Sequence, residues 1–550
     1  MHLRKLLVAA VALSGASPSA LVQAAQVQKP GLTVPASAAA HKAAVKKIFT
    51  DTYSAYREFA FGHDDLTPES KSFADGLGGW GASMVDAMDT MLIMGIEDWF
   101  LEAVNKSATI DFNLTTTDST ISVFETTIRY VGGFLAAYEL SGQKFPILVQ
   151  KAKEVANKLV FGFTGSSPIP FGHLNFTTNI PDFDTSNVAE AGTLTLEWDR
   201  LTHYTGNATY QSLALASVEH IASLPDPLPG LPGQGIDPST GDSVGAYVTW
   251  GGGTDSYLEY LIKYPRLTNA HDDLATVWAT AVDSSIRTLL STSTVGNWTY
   301  LADFTDDAEI RVIGSHLACF HGGNWLMGGQ MLNNKTIVDV GLKLVDACWN
   351  TYAGTATGIG PEAFAWISPQ TNFSGETPSA SDLAFYQEHG FYIYSGDGFW
   401  LQRPEVMESN FYAYRVTGDT KYLDRAAAVV QSFQDFTRAP QTGAYAPIND
   451  VNSKTTTLMD DTQSFFYAEV LKYLYLTFDD PNHISLNDWV FNTEAHPFKA
   501  PPAKATYGTG KINPPSSKSG SRTKAQPANL AQISEIPIAP KQIADLYKGF

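Results

Sequence analysis

The sequence predicts an all-α fold of helical hairpins, stacked or closed into a ring. Three observations lead there. One helix-ending triplet recurs, as Ser141-Gly142-Gln143, Thr205-Gly206-Asn207 and Thr417-Gly418-Asp419. Each glycine falls where a left-handed residue ends a helix, and an aromatic residue (Phe145, Tyr210, Tyr422) opens the next one. Second, no stretch is strand-rich. Third, acidic side chains recur at the starts of otherwise apolar helices.

The 550 residues are 44% hydrophobic and 17% charged, a globular composition with ample core. Length alone suggests several domains. A net charge of −20 argues against nucleic acid or an anionic membrane as partner. Arg4 and Lys5 precede the apolar run 6–13, and Val22 and Ala24 give a small-residue cleavage pattern. Residues 1–24 are therefore expected to be a signal peptide and no later span is expected, so the mature chain enters the secretory lumen or is secreted. In that compartment the sequons at Asn105, Asn113, Asn175, Asn207, Asn297, Asn334 and Asn372 are glycosylation candidates. Cys319 and Cys348, the only cysteines, most simply form one bridge.

In chain order, 41–62 reads as an amphipathic helix. Segment 78–95 is a helix between glycines, with Asp86 and Asp89 three apart on one face. Segment 122–142 is a helix carrying Glu125 and Arg129 at i, i+4, a spacing that an ordinary surface ion pair also explains. Segment 189–210 places Glu190 and Glu197 two turns apart, and 255–264 puts Asp255 at an N-cap or first-turn position with Glu259 one turn on. His316 leads into a glycine-rich helix, and Glu362 follows Pro361 in a loop or helix start. Segment 401–424 has Pro404 at its first helical position, Glu405 and Glu408 in its first turns and Gly418 at its end. Segment 460–478 reads as one long aromatic helix with Phe465 and Glu469, and 491–498 as a loop. Residues 499–550 hold seven lysines and one arginine against one aspartate and one glutamate, near +6. Rich in Pro, Ser and Ala, they read as a flexible tail without a core.

One acidic helix start is explained by the helix dipole. The recurrence at Asp86, Glu125, Glu190, Asp255, Glu405, Glu408 and Glu469 suggests that helix ends converge on one acidic cavity. Oxygen ligands there suit Ca²⁺. Carboxylates, aromatic platforms and secretion together fit a glycosidase or a glycan binder.

The ordered motifs VDAMDTMLIMG, FETTIRYVGG, AEAGTLTLE, DSYLEYL, HLACF, GIGPE, RPEVMES, SFFYAEVLKYLYL and FNTEAHP resemble those of the class I α-1,2-mannosidases, glycoside hydrolase family 47. The resemblance spans roughly 41–498 and implies an (α/α)7 barrel over 25–498. It also implies a Ca²⁺-dependent, inverting exo-hydrolase, expected to be a monomer, that trims high-mannose N-glycans and α-1,2-mannooligosaccharides. A binding protein that has lost hydrolysis is the alternative. Glu125 would be the general acid, Glu405 the general base and Asp255 a third essential carboxylate. Thr493 would hold Ca²⁺ directly, with Glu408, Glu469 and Glu494 acting through its waters. Phe465 would lie under the sugar. Arg129, Glu190, Glu197, His316, Glu362 and Arg403 would contact glycan or orient the carboxylates; a buried ion-pair network would use the same residues. The family disulfide matches Cys319–Cys348. Gly253 stands where endoplasmic-reticulum-type relatives carry arginine, which implies broad trimming of Man9 to Man5; a tight turn alone would also call for glycine there.

Overall fold

The computed structural model describes residues 24–117 and 120–508. The expected signal peptide, apart from Ala24, and the tail beyond Gly508 lie outside these residues.

Helices alternate between two kinds. The helix Glu405–Thr417 is buried at every position from Glu405 to Val416, and Asp255–Thr268 from Ser256 to Leu267. Such helices have no solvent face and belong inside. By contrast, Lys421–Phe436 buries only Tyr422, Leu423, Ala426, Val429, Val430 and Phe433, a single stripe at helical spacing. Among the described residues the inner set comprises Ala82–Met94, 123–140, 188–205, Asp255–Thr268, Phe320–Met331, Glu405–Thr417 and 466–478. Each packs on the next, and the last packs on the first. Outside them run Ala38–Phe59, Glu97–Ser107, Pro146–Leu159, Thr209–Ser223, Asp272–Thr288, Lys335–Ala353 and Lys421–Phe436. Seven outer–inner hairpins therefore close an (α/α)7 barrel.

The recurring triplets do end helices. Gly142, Gly206 and Gly418 have φ of +70°, +72° and +71°, the left-handed region that glycine enters without a Cβ penalty. Three segments differ from expectation. Segment 122–142 is not uniform: an α turn, Val123–Thr126, passes into a π-helical turn, Thr127–Val131, before α-helix resumes. Segment 189–210 breaks at Thr193, splitting Val188–Gly192 from Thr195–Thr205 and turning Glu190 and Glu197 to different surroundings. Segment 460–478 becomes helical only from Ser464, again passing through a π turn, Phe466–Val470. Short strands, unannounced by any strand-rich run, form small antiparallel sheets in the loops.

The expected loop 491–498 is the tip of a β-hairpin, Trp489–Phe491 paired with Pro497–Lys499. It packs against the second and fourth inner helices and places Asn492, Thr493, Glu494 and His496 within the ring. The first residues of the expected tail touch the barrel. The Ala500 amide donates to the Asp488 carbonyl, Arg266 donates to the Pro501 carbonyl, and Lys504 pairs with Asp272 at 2.6 Å. Residues 499–508 are thus docked on the barrel. The Cys319–Cys348 disulfide links the start of an inner helix to its outer partner, with Cα atoms 5.9 Å apart.

Candidate active site

The inner helices of this ring start at one end, and their first residues supply the acidic groups. Glu405 and Asp255 are the first residues of their helices; Glu125 and Glu190 lie in first turns, N-capped by Ser122 and Asn187 side chains. Helix starts carry partial positive charge, which makes them suitable seats for carboxylates. Together they open on a cavity of about 400 Å³. Glu125, Arg129, Glu190, Asp255, Arg403, Glu405, Phe465, Glu469, Thr493 and Glu494 all line it. Both π turns lie here, one carrying Arg129 and the other directly following Phe465. Single π turns within helices frequently mark functional sites.

Four of the expected site residues stand behind the cavity wall. His316 is buried, with Nδ1 2.7 Å from Glu405 Oε2 and Nε2 2.6 Å from the Tyr352 hydroxyl. Glu362 pairs with Arg403 and accepts the Leu401 amide. Glu197 accepts from the Tyr260 hydroxyl at 2.5 Å and from Asn492 at 2.8 Å, and burial pushes it up to about 7. Glu408 accepts from the Tyr473 hydroxyl at 3.3 Å.

Arg129 is the cationic hub. It pairs with Glu125 at 2.7 Å, with Glu494, with Asp86 at 3.5 Å and with the Ser464 hydroxyl at 3.0 Å. Its guanidinium lies 5.4 Å from the centre of the Phe465 ring, so one residue orients both the Glu125 carboxylate and the Phe465 ring. Beneath it, His496 stands 2.8 Å from Asp89 and 3.4 Å from Asp86, and Lys472 pairs with Asp89 at 2.9 Å. Burial works against charge on the two aspartates, but His496, Arg129 and Lys472 outweigh it and hold both low. The sequence shows Asp86 and Asp89, but their partners Lys472 and His496 are some 400 residues away and Arg129 is 43 from Asp86, beyond any local pattern. The Glu259–Lys263 ion pair is likewise fully enclosed.

Burial first, then the charges of Glu259 and Glu405, push Asp255 up to about 7. Burial and neighbouring carboxylates push Glu408 up to about 8 and Glu469 well above the usual range. Glu494 is also held high by burial, although Arg129 opposes this. Thr493 is half-buried at the hairpin tip, and among the described residues neither its hydroxyl nor its carbonyl makes a hydrogen bond. These are oxygen donors only, the set that a hard cation prefers. Among the described residues no three His, Cys, Asp or Glu side chains converge as direct ligands.

Gly253 also lines the cavity, at φ +86°. A Cβ there would come within 2.5 Å of Gln234 Nε2, which donates to the Gly252 carbonyl at 2.6 Å. The turn alone therefore demands glycine, and arginine at 253 would need a strained backbone and a displaced Gln234. Ser122, Phe124, His173, Asn187 and Leu317 also line the wall; Ser122, Phe124 and Asn187 come with the helix starts that carry Glu125 and Glu190, whereas no spacing in the chain signals His173 or Leu317.

The model of glycosyl hydrolase family 47 matches residues 48–500. The mannosyl-oligosaccharide α-1,2-mannosidase 1B of Aspergillus phoenicis is 37% identical over 529 residues, covering 91% of this chain and 99% of that one. The mannosyl-oligosaccharide α-1,2-mannosidase of Coccidioides posadasii is 39% identical over 480 residues, covering 83% and 90%. Among solved structures, the α-1,2-mannosidase from Trichoderma reesei superposes with a TM-score of 0.81 at 37% identity, covering 84% of this chain and 99% of its own. With its barrel, its ring of helix-start carboxylates and these relatives, the chain belongs to glycosyl hydrolase family 47.

Proposed function

We propose that the protein is an inverting exo-α-1,2-mannosidase of the secretory route, acting as a monomer, that trims terminal mannose from high-mannose N-glycans and carries Man9 to Man5. The observation that carries this reading is that Glu125, Asp255 and Glu405, from three inner helices, share one cavity with Phe465 and the Thr493 oxygens. In this reading Glu405 draws the proton from the attacking water. His316 steers the Glu405 carboxylate, and Tyr352 in turn fixes the His316 ring. Glu125, held by Arg129, serves as acid to the leaving oxygen through a water. Asp255, with its raised pKa, can hold a proton near neutral pH. A water on each side of the sugar fits inversion, in which the two carboxyls stand about 6.5–9.5 Å apart. Phe465 supports the sugar face, and Arg403, oriented by Glu362, and Glu190 offer hydrogen bonds to hydroxyls.

The residues fit Ca²⁺, which Thr493 would hold through hydroxyl and carbonyl, with Glu408, Glu469 and Glu494 binding its waters. When bound, Ca²⁺ supplies fixed positive charge to the crowded buried carboxylates and further coordination for sugar hydroxyls. For the secretory route the support is the N-terminal sequence, the fungal relatives and the finding that no described helix is long and apolar enough to cross a membrane. For broad trimming it is the bare Gly252–Gly253 edge of the cavity.

The test is digestion of Man9 with products resolved by isomer, with and without EDTA, in wild type and Thr493→Ala. Expected are Man5 as end product, activity lost in EDTA and restored by Ca²⁺, and weaker Ca²⁺ binding with lower activity in a still-folded Thr493→Ala. Full activity of Thr493→Ala in EDTA would remove the metal assignment. A stall at a single Man8 isomer would remove broad trimming.

A further inference from the structure

The barrel has a second built cavity at its other end. The inner helices 123–140, 188–205 and Asp255–Thr268 finish there, and Glu139, Arg200, Tyr204 and Thr268 line a space of about 660 Å³ closed by Lys499–Pro501. Asp255 lines the candidate active site and Thr268 this cavity, so roughly 20 Å of helix separates them at 1.5 Å per residue. Tyr204 also lines an adjoining cavity of about 370 Å³ together with Tyr138, whose ring meets it edge-on at 5.0 Å. One aromatic ring thus divides a groove.

The polar groups of this groove are balanced in charge. The Glu139 side chain is 4% exposed; its Oε2 accepts the Lys499 amide, while Oε1 makes no hydrogen bond among the described residues. Arg200 pairs with Asp199 at 3.2 Å and stands 3.9 Å from Glu139, and its Nε is buried without a partner. The Lys499 ammonium lies over the Trp489 ring at 4.8 Å. Glu139 and Asp199 are matched in number by Arg200 and Lys499 on this wall, and helix C-termini disfavour an anion. What remains is a buried acceptor, a buried donor, an amide side chain on Gln143 and a tyrosine face. That combination suits a neutral, polyhydroxylated ligand with an apolar ring face. Gln143 is exposed and held at φ +63°, a left-handed conformation where glycine is the ordinary residue.

We propose that this groove is a second binding site, for a neutral saccharide. Its source is either a free glycan or a glycan on the chain's own Asn207, a sequon whose carbonyl accepts from Thr202 of the cavity wall. The test is peptide-resolved hydrogen exchange on the full-length enzyme with a millimolar Man5 oligosaccharide, which has no terminal α-1,2-mannose to lose. Exchange should slow several-fold in peptides covering 138–143 and 199–206. Gln143→Gly relieves backbone strain while removing a contact, and Tyr204→Ala removes the platform. Each should raise the half-protection concentration at least threefold with mannosidase turnover unchanged. A free glycan protects wild type and Asn207→Gln alike. A glycan on Asn207 leaves wild type protected beforehand, and added Man5 then protects only Asn207→Gln. No protection in either form, or protection untouched by both groove variants, overturns the site.

Discussion

Glu405 shows at residue scale how position creates chemistry. As the first residue of an inner helix it meets the positive end of the dipole, and His316 holds one of its oxygens at 2.7 Å. Glu405→Gln keeps the volume and removes the proposed base. The expected outcome is a loss of about 10²–10⁴ in kcat, in keeping with removal of a general base, with KM and melting temperature little changed. Steady-state kinetics on α-1,2-mannobiose checks it; a variant within threefold of wild type would remove Glu405 from the role. The carboxylates were legible in the sequence because an acidic residue at an apolar helix start is a local anomaly. His316 as the partner of Glu405, and His496 as the clamp of Asp86 and Asp89, were not. Those contacts join residues 89 to 410 positions apart, and no sequence spacing records them.

At the scale of elements, the inner helix Phe320–Met331 carries two testable features. His321 is buried, its Nδ1 makes no hydrogen bond among the described residues, and burial pushes it down to about 3. Its folded pKa is depressed, so the stability tied to keeping it neutral is complete above the unfolded value near 6.5 and falls as pH drops towards 3. At pH 4.5 the loss is about 2.7 kcal/mol, from two pH units at 1.36 kcal/mol each. His321→Phe should therefore narrow the stability difference between pH 7 and pH 4.5 by about that amount in denaturant titrations; an unchanged difference would show that His321 titrates normally. Next to it, Cys319 ties this helix to Lys335–Ala353, the bridged positions lying 29 apart in the chain. Loop closure of that size contributes about 3–4 kcal/mol in the chain-entropy model. Replacing both cysteines by serine should lower thermal stability while turnover per folded molecule stays near wild type, and two thiols titrating in native protein would refute the bridge. The helix-ending glycines were readable because φ near +70° leaves few residue choices. The π turns at Thr127–Val131 and Phe466–Val470 were not readable, because tertiary packing against the cavity sets them and helix propensity does not.

For the whole molecule, closure of seven hairpins gathers seven helix starts at one end, and the hairpin Trp489–Lys499 brings Thr493 and Glu494 to their centre. The repeat of glycine-ended helices pointed to a stack or ring but left the choice open, because closure depends on how the last inner helix meets the first. The hairpin plug was read only as a loop, since three-residue strands carry too little alternation to detect. In the proposed reading the same architecture sets the stereochemistry: Glu125 and Glu405, the proposed acid and base, come from different inner helices that share one cavity, an arrangement that suits inversion through a water. The measurement that bears most directly on this is proton NMR of α-1,2-mannobiose hydrolysis in Ca²⁺ during the first minutes, before mutarotation. The expected result is β-mannose as the first released anomer. Release of α-mannose, or no cleavage by folded, Ca²⁺-loaded protein, would contradict it.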